Sequence, residues 1–498
     1  MPITPRLLSI GLLAGLALLA AERDGRQVFT QSCQSCHQAT NATRAPLEEA
    51  LRRLPRERIL ASLVSGSMKA QGDALAEGER ESVAVFLAAK PTPELAPAPR
   101  CSAPMPPLRG TPGWQGWGVD LGNTRHAPKP GLTAAQVPQL KLKWSFAFPK
   151  ANVAYGQPTI IDGRLFTGSD RGTVYALDAK SGCVYWTFQA DATVRTAITV
   201  HQGRLYFGDL KAHAYAVNAN EGTLLWKTKV DEHPLARVTG SPMLHDGRLY
   251  VPVSSVEEVA PASPKYVCCT FRGSLVALDA ATGATHWKQH TIPAEPQPTK
   301  TNSAGTQLYG PAGAAVWVAP TIDVKRKLVY VATGNGYSDP ANGFTDAVIA
   351  FDLVSGTRRW VRQLTAGDGW NFACSNPNKA NCPESRGEDF DIGASPVLGR
   401  WLYIGQKSGL VYALDPDHEG SIVWQTRVGH GGPLDNLEVP NDPQGRVAQR
   451  RRAVCLEVHR VPVAARGGAR KVTHIEVGGR EMSGVHHWES TQWALRCP

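Results

Sequence analysis

Alternating apolar and polar positions recur along the chain in a short phrase that predicts two β-strands joined by a tight turn. Residues 174–186 read VYALDAKSGCVYW, so apolar side chains alternate up to an aspartate, and a Ser-Gly pair precedes a second apolar run. Similar phrases end at Trp226, Trp287, Trp360 and Trp424. Because the same strand–turn–strand phrase recurs five times, the sequence indicates a repeat architecture.

One complete repeat can be read directly, and its pattern predicts four short strands. These strands cover 157–162, 164–169, 173–178 and 183–189, with Gly-containing turns between them. The first repeats are spaced by about forty residues, the length of one four-stranded propeller blade. Later intervals are longer and must contain insertions, where binding sites are often built. We therefore predict a mainly β propeller, with a purely structural or scaffolding propeller as the alternative.

The composition fits a turn-rich β protein and narrows the choice of partners. Charged residues make up 19% of the chain, whereas 48 residues are Gly and 37 are Pro. The net charge of +10 is modest for 498 residues and forms no basic stripe, so nucleic acid is not an expected partner.

The N-terminal residues predict export. Residues 1–21 combine Arg6 with an apolar run that is short for a membrane span and typical of a secretory signal peptide, although an uncleaved anchor is the alternative. Ten cysteines also fit an oxidising compartment. We expect a periplasmic protein without stable insertion into a membrane.

The motif Cys33-Gln-Ser-Cys36-His37 predicts covalently bound haem c. Two thiols with this spacing form thioethers to the haem, and the histidine follows at the position that ligates the iron. A thioredoxin-like redox pair or half of a zinc site is the alternative.

A small domain around this motif can be outlined. Of the five methionines, Met68 is the candidate for the sixth iron ligand, ahead of a predicted helix over 75–88. Residues 22–90 resemble a small all-α class I cytochrome c domain. Seven prolines in the next seventeen residues predict a Pro-rich, semi-rigid linker, which we place at 91–112.

The start of the propeller region resembles a known family of enzymes. Residues 114–128, WQGWGVDLGNTRHAP, together with 140–146, resemble the opening of the pyrroloquinoline quinone (PQQ) alcohol dehydrogenases, in particular the polyvinyl alcohol dehydrogenase type with its N-terminal cytochrome c. The resemblance extends from residue 22 to about 431. It implies a PQQ-dehydrogenase-type propeller over 113–432 that oxidises secondary or polymeric alcohols with PQQ and calcium. Electrons would pass to the protein's own haem, and then to a soluble cytochrome c or another acceptor.

The resemblance also assigns the residues that would contact the quinone. Arg195 and Lys407 stand where the family places basic residues against the quinone oxygens, and such charges stabilise the negative charge of a reduced ring. Thr239 matches a threonine that contacts the cofactor. Trp317 matches the indole that forms the floor beneath the PQQ ring, and an ordinary core tryptophan is the alternative.

Two further matches concern the metal. Glu257, with the neighbouring Glu258 as its competitor, and Asn335 match the family's calcium ligands, and calcium prefers oxygen ligands of this kind. The alternatives are a solvated loop carboxylate for Glu257 and an ordinary turn residue for Asn335.

The sequence departs from the family at the catalytic base. The stretch Gly367-Asp368-Gly-Trp-Asn371 has an asparagine where the family has its catalytic aspartate. An amide cannot accept a proton from an alcohol at neutral pH. Asp368 is the nearest substitute, acting through a water, so the resemblance leaves Asp368 and Asn371 as the catalytic candidates.

A second departure concerns the adjacent cysteines Cys268 and Cys269. In the larger family a vicinal disulfide stacks on the PQQ face, but its cysteines lie one repeat earlier, so a site-lining disulfide and a pair of buried thiols are both open. Two other pairings are also possible, Cys374 with Cys382 and Cys101 with Cys183.

The repeat pattern ends near Leu434, and relatives continue beyond this point. We therefore expect an incomplete propeller of about five or six of eight blades, followed by an aberrant, poorly ordered tail over 433–498. A divergent but genuine tail is the alternative. This ending also favours a second function, that of a degenerate relative that keeps an electron-transfer cytochrome c beside a non-catalytic propeller acting as a scaffold.

Overall fold

The computed structural model describes residues 23–38, 45–52, 54–64, 66, 68–88, 99–110, 113–127, 131–151, 155–429 and 431. The chain divides into two units, Met1–Pro97 and Ala98–Pro498. The predicted signal peptide and the predicted tail lie outside the described residues. Within the described part of the chain, none of the helices combines the length and the apolar character needed to cross a bilayer.

The first unit is all helical, as predicted. Its helices are α1 (Gly25–Ser32), α2 (Glu48–Leu51), α3 (Arg56–Val64), α4 (Lys69–Asp73) and α5 (Glu77–Leu87). Their shared core contains Val28, Phe29, Ile59, Leu63, Leu75, Val83, Ala84 and Leu87. A Cβ atom at Gly25 would lie 2.0 Å from the carbonyl oxygen of Ser82, so only glycine lets α1 cross α5 at backbone contact.

The second unit contains a short 3₁₀-helix, η1 (Ala134–Gln139), and then five antiparallel blades in sequence, of which four are four-stranded and the third has an additional fifth strand. The predicted blade over 157–189 is confirmed as β1 (Thr159–Ile161), β2 (Arg164–Gly168), β3 (Thr173–Asp178) and β4 (Val184–Gln189). The second blade contains β5 (Thr199–His201), β6 (Arg204–Gly208), β7 (His213–Asn218) and β8 (Leu224–Lys229).

The third blade contains β10 (Met243–His245), β11 (Arg248–Ser255), β12 (Ser274–Asp279) and β13 (Thr285–His290), with β9 (Ala236–Arg237) pairing to β11. The fourth contains β17 (Thr321–Asp323), β18 (Leu328–Ala332), β20 (Ala347–Asp352) and β21 (Arg358–Gln363). The fifth contains β22 (Val397–Leu398), β23 (Leu402–Gly405), β24 (Leu410–Asp415) and β25 (Ser421–Arg427). The predicted mainly β propeller is thus confirmed.

The long intervals hold insertions, as expected. They contain the 3₁₀-helix η2 (Glu257–Ala262), the hairpin β14 (Gln297–Thr301) and β15 (Gln307–Gly310), the small ladder of β16 (Ala312–Gly313) with β19 (Gly336–Ser338), and the 3₁₀-helix η3 (Phe372–Ser375). All of these elements lie between the third and fifth blades or interrupt the third and fourth blades.

The repeated phrase works by docking each blade onto the next one. A Cβ atom at Gly283 would lie 2.7 Å from the ring of Trp226, so the indole that ends one phrase packs against the turn glycine of the following phrase. The same contact joins Trp144 to Gly182, Trp186 to Gly222, Trp287 to Gly356 and Trp360 to Gly420. These glycines have φ between 66° and 78°, which also favours glycine. The phrase therefore encodes the contact between blades as well as the turn.

Part of the predicted linker belongs to the edge of the first blade. Arg100 pairs in parallel with Val184 of β4, and Cys101 forms a disulfide with Cys183. Backbone hydrogen bonds between strands and a covalent cross-link hold this segment on the sheet, so it does not act as a spacer as far as residue 112.

Candidate active site

The haem-binding motif of the first unit follows α1 directly and forms a short turn. The thiols of Cys33 and Cys36 are not joined in a disulfide. Burial raises the pKa of the Cys33 thiol. Nδ1 of His37 lies 2.7 Å from the carbonyl oxygen of Pro46, to which it donates when it carries the ring proton. This tautomer leaves the lone pair of Nε2 available to a metal.

The candidate sixth ligand lies in the same unit. Met68 precedes α4 and is partly buried, and like Cys33 it packs against the core shared by α1, α3 and α5. The residues present therefore fit a covalently bound haem: the thiol of Cys33 and the thioether of Met68 pack against one helical core, the imidazole of His37 is oriented, and the thiol of Cys36 is exposed.

In the second unit, the candidate site is centred on Lys407, which lies just after β23. Its Nζ lies 5.9 Å from the centroid of the Trp317 ring. It donates to Oδ2 of Asp391 at 2.5 Å and to both carboxylate oxygens of Asp389 at 3.1 Å. A cation is thus held between an aromatic face and two carboxylates.

Asp391 connects this cation to the residues around Asn335. Oδ1 of Asp391 accepts a hydrogen bond from the backbone N–H of Asn335 at 2.7 Å. A Cβ atom at Gly334 would lie 2.6 Å from that oxygen and 3.4 Å from Nε1 of Trp317. Glycine at this position therefore leaves room for both the carboxylate and the indole. The amide nitrogen of Asn335 donates to the carbonyl of Trp370 at 2.6 Å. Its Oδ1 accepts no hydrogen bond from the described residues.

Negative charge exceeds positive charge in this region. Burial lowers the pKa of Lys407, but the charges of Asp391 and Asp389 outweigh it and raise the pKa overall, so the side chain stays protonated. Burial, followed by the charge of Asp391, raises the pKa of Asp389 well above its usual value. Burial and the nearby carboxylates do the same to Asp346. Neither carboxylate oxygen of Asp346 has a hydrogen-bond partner among the described residues. A bound cation would relieve this excess of carboxylates.

The two neighbouring glutamates have different surroundings. The carboxylate of Glu257 accepts hydrogen bonds from the backbone N–H groups of Thr270 at 2.9 Å and Phe271 at 2.8 Å, and from the hydroxyl of Tyr266 at 2.9 Å. It is fully buried, and its oxygens are engaged in anchoring the chain. Glu257 therefore anchors the chain; its role as a calcium ligand stays a prediction, and Glu258, its competitor in the sequence, is the second candidate.

Glu258 lies within electrostatic reach of Asp391 and Lys407. Burial of its carboxyl, together with the negative charge of Asp391, raises its pKa to about 7, although Lys407 acts in the opposite direction. The sequence named both glutamates, but it could not show which one turns towards the cluster.

The two catalytic candidates from the sequence both form hydrogen bonds with the backbone. The carboxylate of Asp368 accepts from the backbone N–H groups of Asp389 at 2.8 Å and Phe390 at 2.6 Å, so it holds the segment that carries the acidic pair. Asn371 is fully buried and caps η3 by accepting from Ala373 N–H at 2.9 Å. Its amide nitrogen donates to two backbone carbonyls at 2.8 Å. Asn371 is thus fully occupied within the protein interior.

Asp389 and Asp391, which bind Lys407, are further acidic candidates that the sequence pattern did not single out, and the catalytic roles of Asp368 and Asn371 stay predictions. The signal was present: the phrase Glu-Asp-Phe-Asp places two carboxylates just ahead of the short strand β22. The family motif matches only the stretch 367–371, at the other end of the same insertion.

Two other predicted cofactor-binding residues are well anchored. Oγ1 of Thr239 lies 2.7 Å from Oγ of Ser254 and donates to the backbone carbonyl of Trp317 at 3.3 Å. The guanidinium carbon of Arg195 lies 4.9 Å from the centroid of the Tyr155 ring, and burial lowers the pKa of Arg195. Thr239 therefore contacts the segment that presents the indole of Trp317.

All three possible disulfides are formed. Cys268 and Cys269 are joined as a vicinal disulfide that is at most 1% exposed and lies 3.9 Å from the carbonyl oxygen of Tyr337. The other two bonds join Cys101 to Cys183 and Cys374 to Cys382. Of the two readings left open for the adjacent cysteines, the disulfide is correct.

These residues fit a planar quinone and an oxygen-bound cation. The indole of Trp317 is half-buried beneath the Lys407 ammonium, and a flat acceptor with anionic oxygens suits that pair. Glu258 and Oδ1 of Asn335 offer the oxygen donors that calcium prefers. Among the described residues, no three His, Cys, Asp or Glu side chains converge as a complete metal site. A cation here would therefore share its coordination with the cofactor's own oxygens.

Comparison with known proteins identifies the families of the two parts of the chain. The model of a family described as outer membrane protein assembly factor BamB, a PQQ-repeat family, matches residues 112–367 and 259–478. A model described as cytochrome C oxidase, cbb3-type, subunit III matches residues 20–87. Among solved structures, the quinohemoprotein alcohol dehydrogenase from Comamonas testosteroni superposes with a TM-score of 0.50 at 20% identity, over 64% of this chain and 49% of that chain. The chain thus spans about half of that protein, and the likeness supports the fold.

Fold and site together define a PQQ-type propeller preceded by a cytochrome c domain. Two relatives, both named polyvinylalcohol dehydrogenase, are more similar in sequence. The Pseudomonas sp. protein is 40% identical over 83% of this chain and 69% of its own length, and the Sphingopyxis sp. protein is 39% identical over 85% and 70%. The chain belongs to the polyvinyl alcohol dehydrogenase family, within the PQQ-dependent alcohol dehydrogenases that carry a cytochrome c domain.

Proposed function

We propose that the protein is a periplasmic quinohaemoprotein that oxidises secondary or polymeric alcohols with PQQ and calcium and passes the electrons to its own haem c. One observation carries the proposal: Lys407 joins Asp391 to the face of Trp317, and Asp391 also accepts from the backbone of Asn335. A cation, a carboxylate, an indole and an amide oxygen of this kind serve the binding of a quinone and a proton transfer next to it.

Each side chain has a task in this reaction. PQQ with calcium, when bound, supplies an acceptor for the two electrons that leave the alcohol. Trp317 supports the ring, and Glu258 and Asn335 supply oxygen ligands to the calcium. Oxidation of the alcohol to a carbonyl compound also releases two protons. Oδ2 of Asp391 accepts the hydroxyl proton, since it is the more accessible carboxylate of the pair bound to Lys407.

Lys407 and Arg195 supply the positive charge that would stabilise a negatively charged group in the site. The Lys407 ammonium stays protonated between its two carboxylates, so it can stabilise negative charge that forms beside Trp317. The predicted role of Arg195 is the same, and its burial strengthens any charge interaction that it makes.

The choice of substrate and compartment has separate support. Both of the more similar relatives are named for polyvinyl alcohol, a polymer of secondary alcohols, and this favours the same class here. The secretory pattern of residues 1–21, the haem-attachment motif and three disulfides favour the periplasm. A soluble cytochrome c is the expected next electron acceptor.

The test is a reduction assay on the full chain with haem attached. The protein is incubated with PQQ and Ca²⁺, a secondary alcohol or polyvinyl alcohol is added, and haem reduction is followed by its absorption. Reduction that depends on PQQ, Ca²⁺ and alcohol is expected. PQQ binding without haem reduction would instead support the degenerate relative with a non-catalytic propeller, and a chain that binds no PQQ would support a scaffold.

A further inference from the structure

The 3₁₀-helix η2, which carries Glu258, ends in an unusual set of hydrogen bonds. Four consecutive carbonyl oxygens at residues 261–264 accept from the side-chain amides of three asparagines. Asn381 donates to Pro261 at 3.1 Å and Ser263 at 2.8 Å, Asn376 donates to Ala262 at 3.0 Å, and Asn302 donates to Pro264 at 2.8 Å. We call Asn302, Asn376 and Asn381 the asparagine clamp.

The position of η2 depends on this clamp. A short 3₁₀-helix has little stability of its own, and the carbonyls at its end need partners from elsewhere. Two prolines in the same stretch, Pro261 and Pro264, also prevent the helix from continuing regularly. Side chains from other insertions therefore supply partners for these carbonyls, of which Ser263 also accepts from the backbone N–H of Tyr266 at 3.0 Å.

Asn381 is the centre of the clamp. It is 2% exposed, and its amide nitrogen bonds to two of the four carbonyls. Its Oδ1 accepts from Nδ2 of Asn302 at 2.7 Å, which brings in the hairpin of β14 and β15. Three insertions thus meet at one side chain.

The loop that carries Asn381 is itself fixed. The disulfide between Cys374 and Cys382 closes a short ring around Asn376 and Asn381. Inside that ring, the backbone carbonyl of Asn381 accepts from the buried amide of Asn371 at 2.8 Å. The clamp is therefore presented by a cross-linked loop with little freedom to move.

Anchors at both ends leave Glu258 in a defined place. Glu257, at the start of η2, is bonded to the backbone at Thr270 and Phe271, and the clamp holds the other end. Glu258 lies in η2 between these anchors, so the bonds at both ends fix the backbone from which its side chain projects. Loss of the clamp would free one end of η2 and with it the direction of Glu258.

We propose that the asparagine clamp, with Asn381 at its centre, is a positioning device that directs Glu258 into the cluster of Asp391 and Lys407 and so sets the affinity of the site for its divalent cation. This proposal rests on the proposed function, in which Glu258 is a calcium ligand. Outer partners that orient a metal ligand typically alter metal affinity by about 10- to 100-fold when they are removed.

The test compares Asn381→Ala with Asn378→Ala in the full, haem-containing chain. Asn378 lies in the same disulfide-closed loop but is exposed, and its side chain only accepts from the backbone N–H of Ala380 at 3.1 Å. Ca²⁺ is titrated by calorimetry in the presence of PQQ and without alcohol, and thermal unfolding is recorded without Ca²⁺. Asn381→Ala should raise the Ca²⁺ dissociation constant about 10-fold or more, and Asn378→Ala should leave it unchanged.

Glu258→Gln separates this proposal from the proposed function. If Glu258→Gln weakens Ca²⁺ binding but Asn381→Ala lowers only the unfolding temperature, the clamp is merely structural and the positioning role is overturned, whereas the proposed function stands. If Glu258→Gln leaves Ca²⁺ binding intact, the ligand assignment fails and the positioning role fails with it. Should Asn381→Ala not fold, Asn376→Ala removes a single clamp bond, and a weaker affinity with unchanged unfolding temperature is then expected.

Discussion

Lys407 donates to Oδ2 of Asp391 at 2.5 Å, and its Nζ lies 5.9 Å from the centroid of the Trp317 ring. Burial lowers the pKa of Lys407, but the charges of Asp391 and Asp389 raise it overall, so the ammonium stays charged. The Asp391 carboxylate is held in one orientation by a second bond, from Asn335 N–H. A base that is fixed beside a flat acceptor surface is ready for proton abstraction from a substrate at that surface.

Asp391→Asn should lower kcat in the PQQ-loaded, Ca²⁺-loaded enzyme by about 10²- to 10⁴-fold, since it removes the proton acceptor. The amide keeps the shape of the side chain and can still accept from Asn335 N–H, so PQQ affinity should change little. The measurement is steady-state haem reduction together with PQQ titration. Asp417→Asn, at an exposed ion pair with Arg326, is the control. A kcat within threefold of the wild type would remove Asp391 as the base.

Glu257→Gln and Glu258→Gln should have opposite consequences. Glu257→Gln weakens three hydrogen bonds to a buried carboxylate, including those from Thr270 and Phe271 N–H, and should reduce the free energy of unfolding by roughly 2–3 kcal/mol. Glu258→Gln should preserve the stability of the metal-free protein and weaken Ca²⁺ binding. Denaturant unfolding and Ca²⁺ titration of both variants measure the two effects, and a pattern with the roles exchanged would return the ligand assignment to Glu257.

Sequence periodicity was sufficient to predict the blades because each blade repeats the same local pattern of residues. The aspartate, the turn glycine and the terminal tryptophan of the phrase have roles that depend on neighbours in sequence or on the next copy, as with Trp226 and Gly283. Likewise, the spacing of Cys33, Cys36 and His37 is local, and it predicts its chemistry directly.

The active-site cluster could not be predicted in the same way because it is assembled from insertions. Which of Glu257 and Glu258 turns inwards depends on backbone donors at residues 270 and 271 and on the asparagine clamp, and neither follows any repeat. Asp391 reaches Lys407 because the Asp368 carboxylate binds the backbone of residues 389 and 390. The family motif pointed to Asp368 and Asn371, and it could not show that both also bind the backbone, Asp368 at residues 389 and 390 and Asn371 at residue 373.

Gly283→Ala should destabilise the propeller by more than its effect on the turn alone. Alanine at this position would have to adopt the left-handed backbone conformation, since Gly283 has a φ of 77°. Its methyl group would also lie 2.7 Å from the Trp226 ring. Gly247→Ala is the matched control, because Gly247 has a φ of 70° and no atom within 4 Å of the new methyl group. The free energy of unfolding should fall by about 1–3 kcal/mol more for Gly283→Ala. Equal losses in chemical denaturation would show that the blade contact does not select glycine.

Acid should destabilise the blades through the aspartates of the repeated phrase. Oδ1 of Asp279 accepts from Thr282 Oγ1 at 2.8 Å and from the N–H groups of Thr282 and Ala281, and these bonds, led by the Thr282 hydroxyl, hold the pKa of Asp279 below its usual value. The folded-state pKa lies below the unfolded one, near 3.9. The stabilisation is therefore present above about pH 4 and is lost as the pH falls through the folded value.

The exchange of an aspartate for an asparagine tests this effect. Asn218 fills the same position in the second blade and accepts from Asn220 N–H at 2.8 Å without a titrating group. Asp279→Asn should thus lose less stability than the wild type between pH 7 and pH 2.5, and Asn218→Asp should lose more, as measured by thermal unfolding across that range. If the two variants show the same acid dependence as the wild type, the turn aspartates do not contribute to acid unfolding.

Met68→His should lower the reduction potential of the haem. Met68 packs on the same core as Cys33, and a thioether ligand to haem iron favours the reduced state more than a second imidazole does. The expected decrease is on the order of 0.1 V, measured by spectroscopic redox titration of the full chain. Met105→His, in the second unit, is the control, since Met105 packs beside the core of the first two blades. If Met68→His leaves the potential unchanged and Met105→His does as well, the sixth ligand is a residue other than Met68.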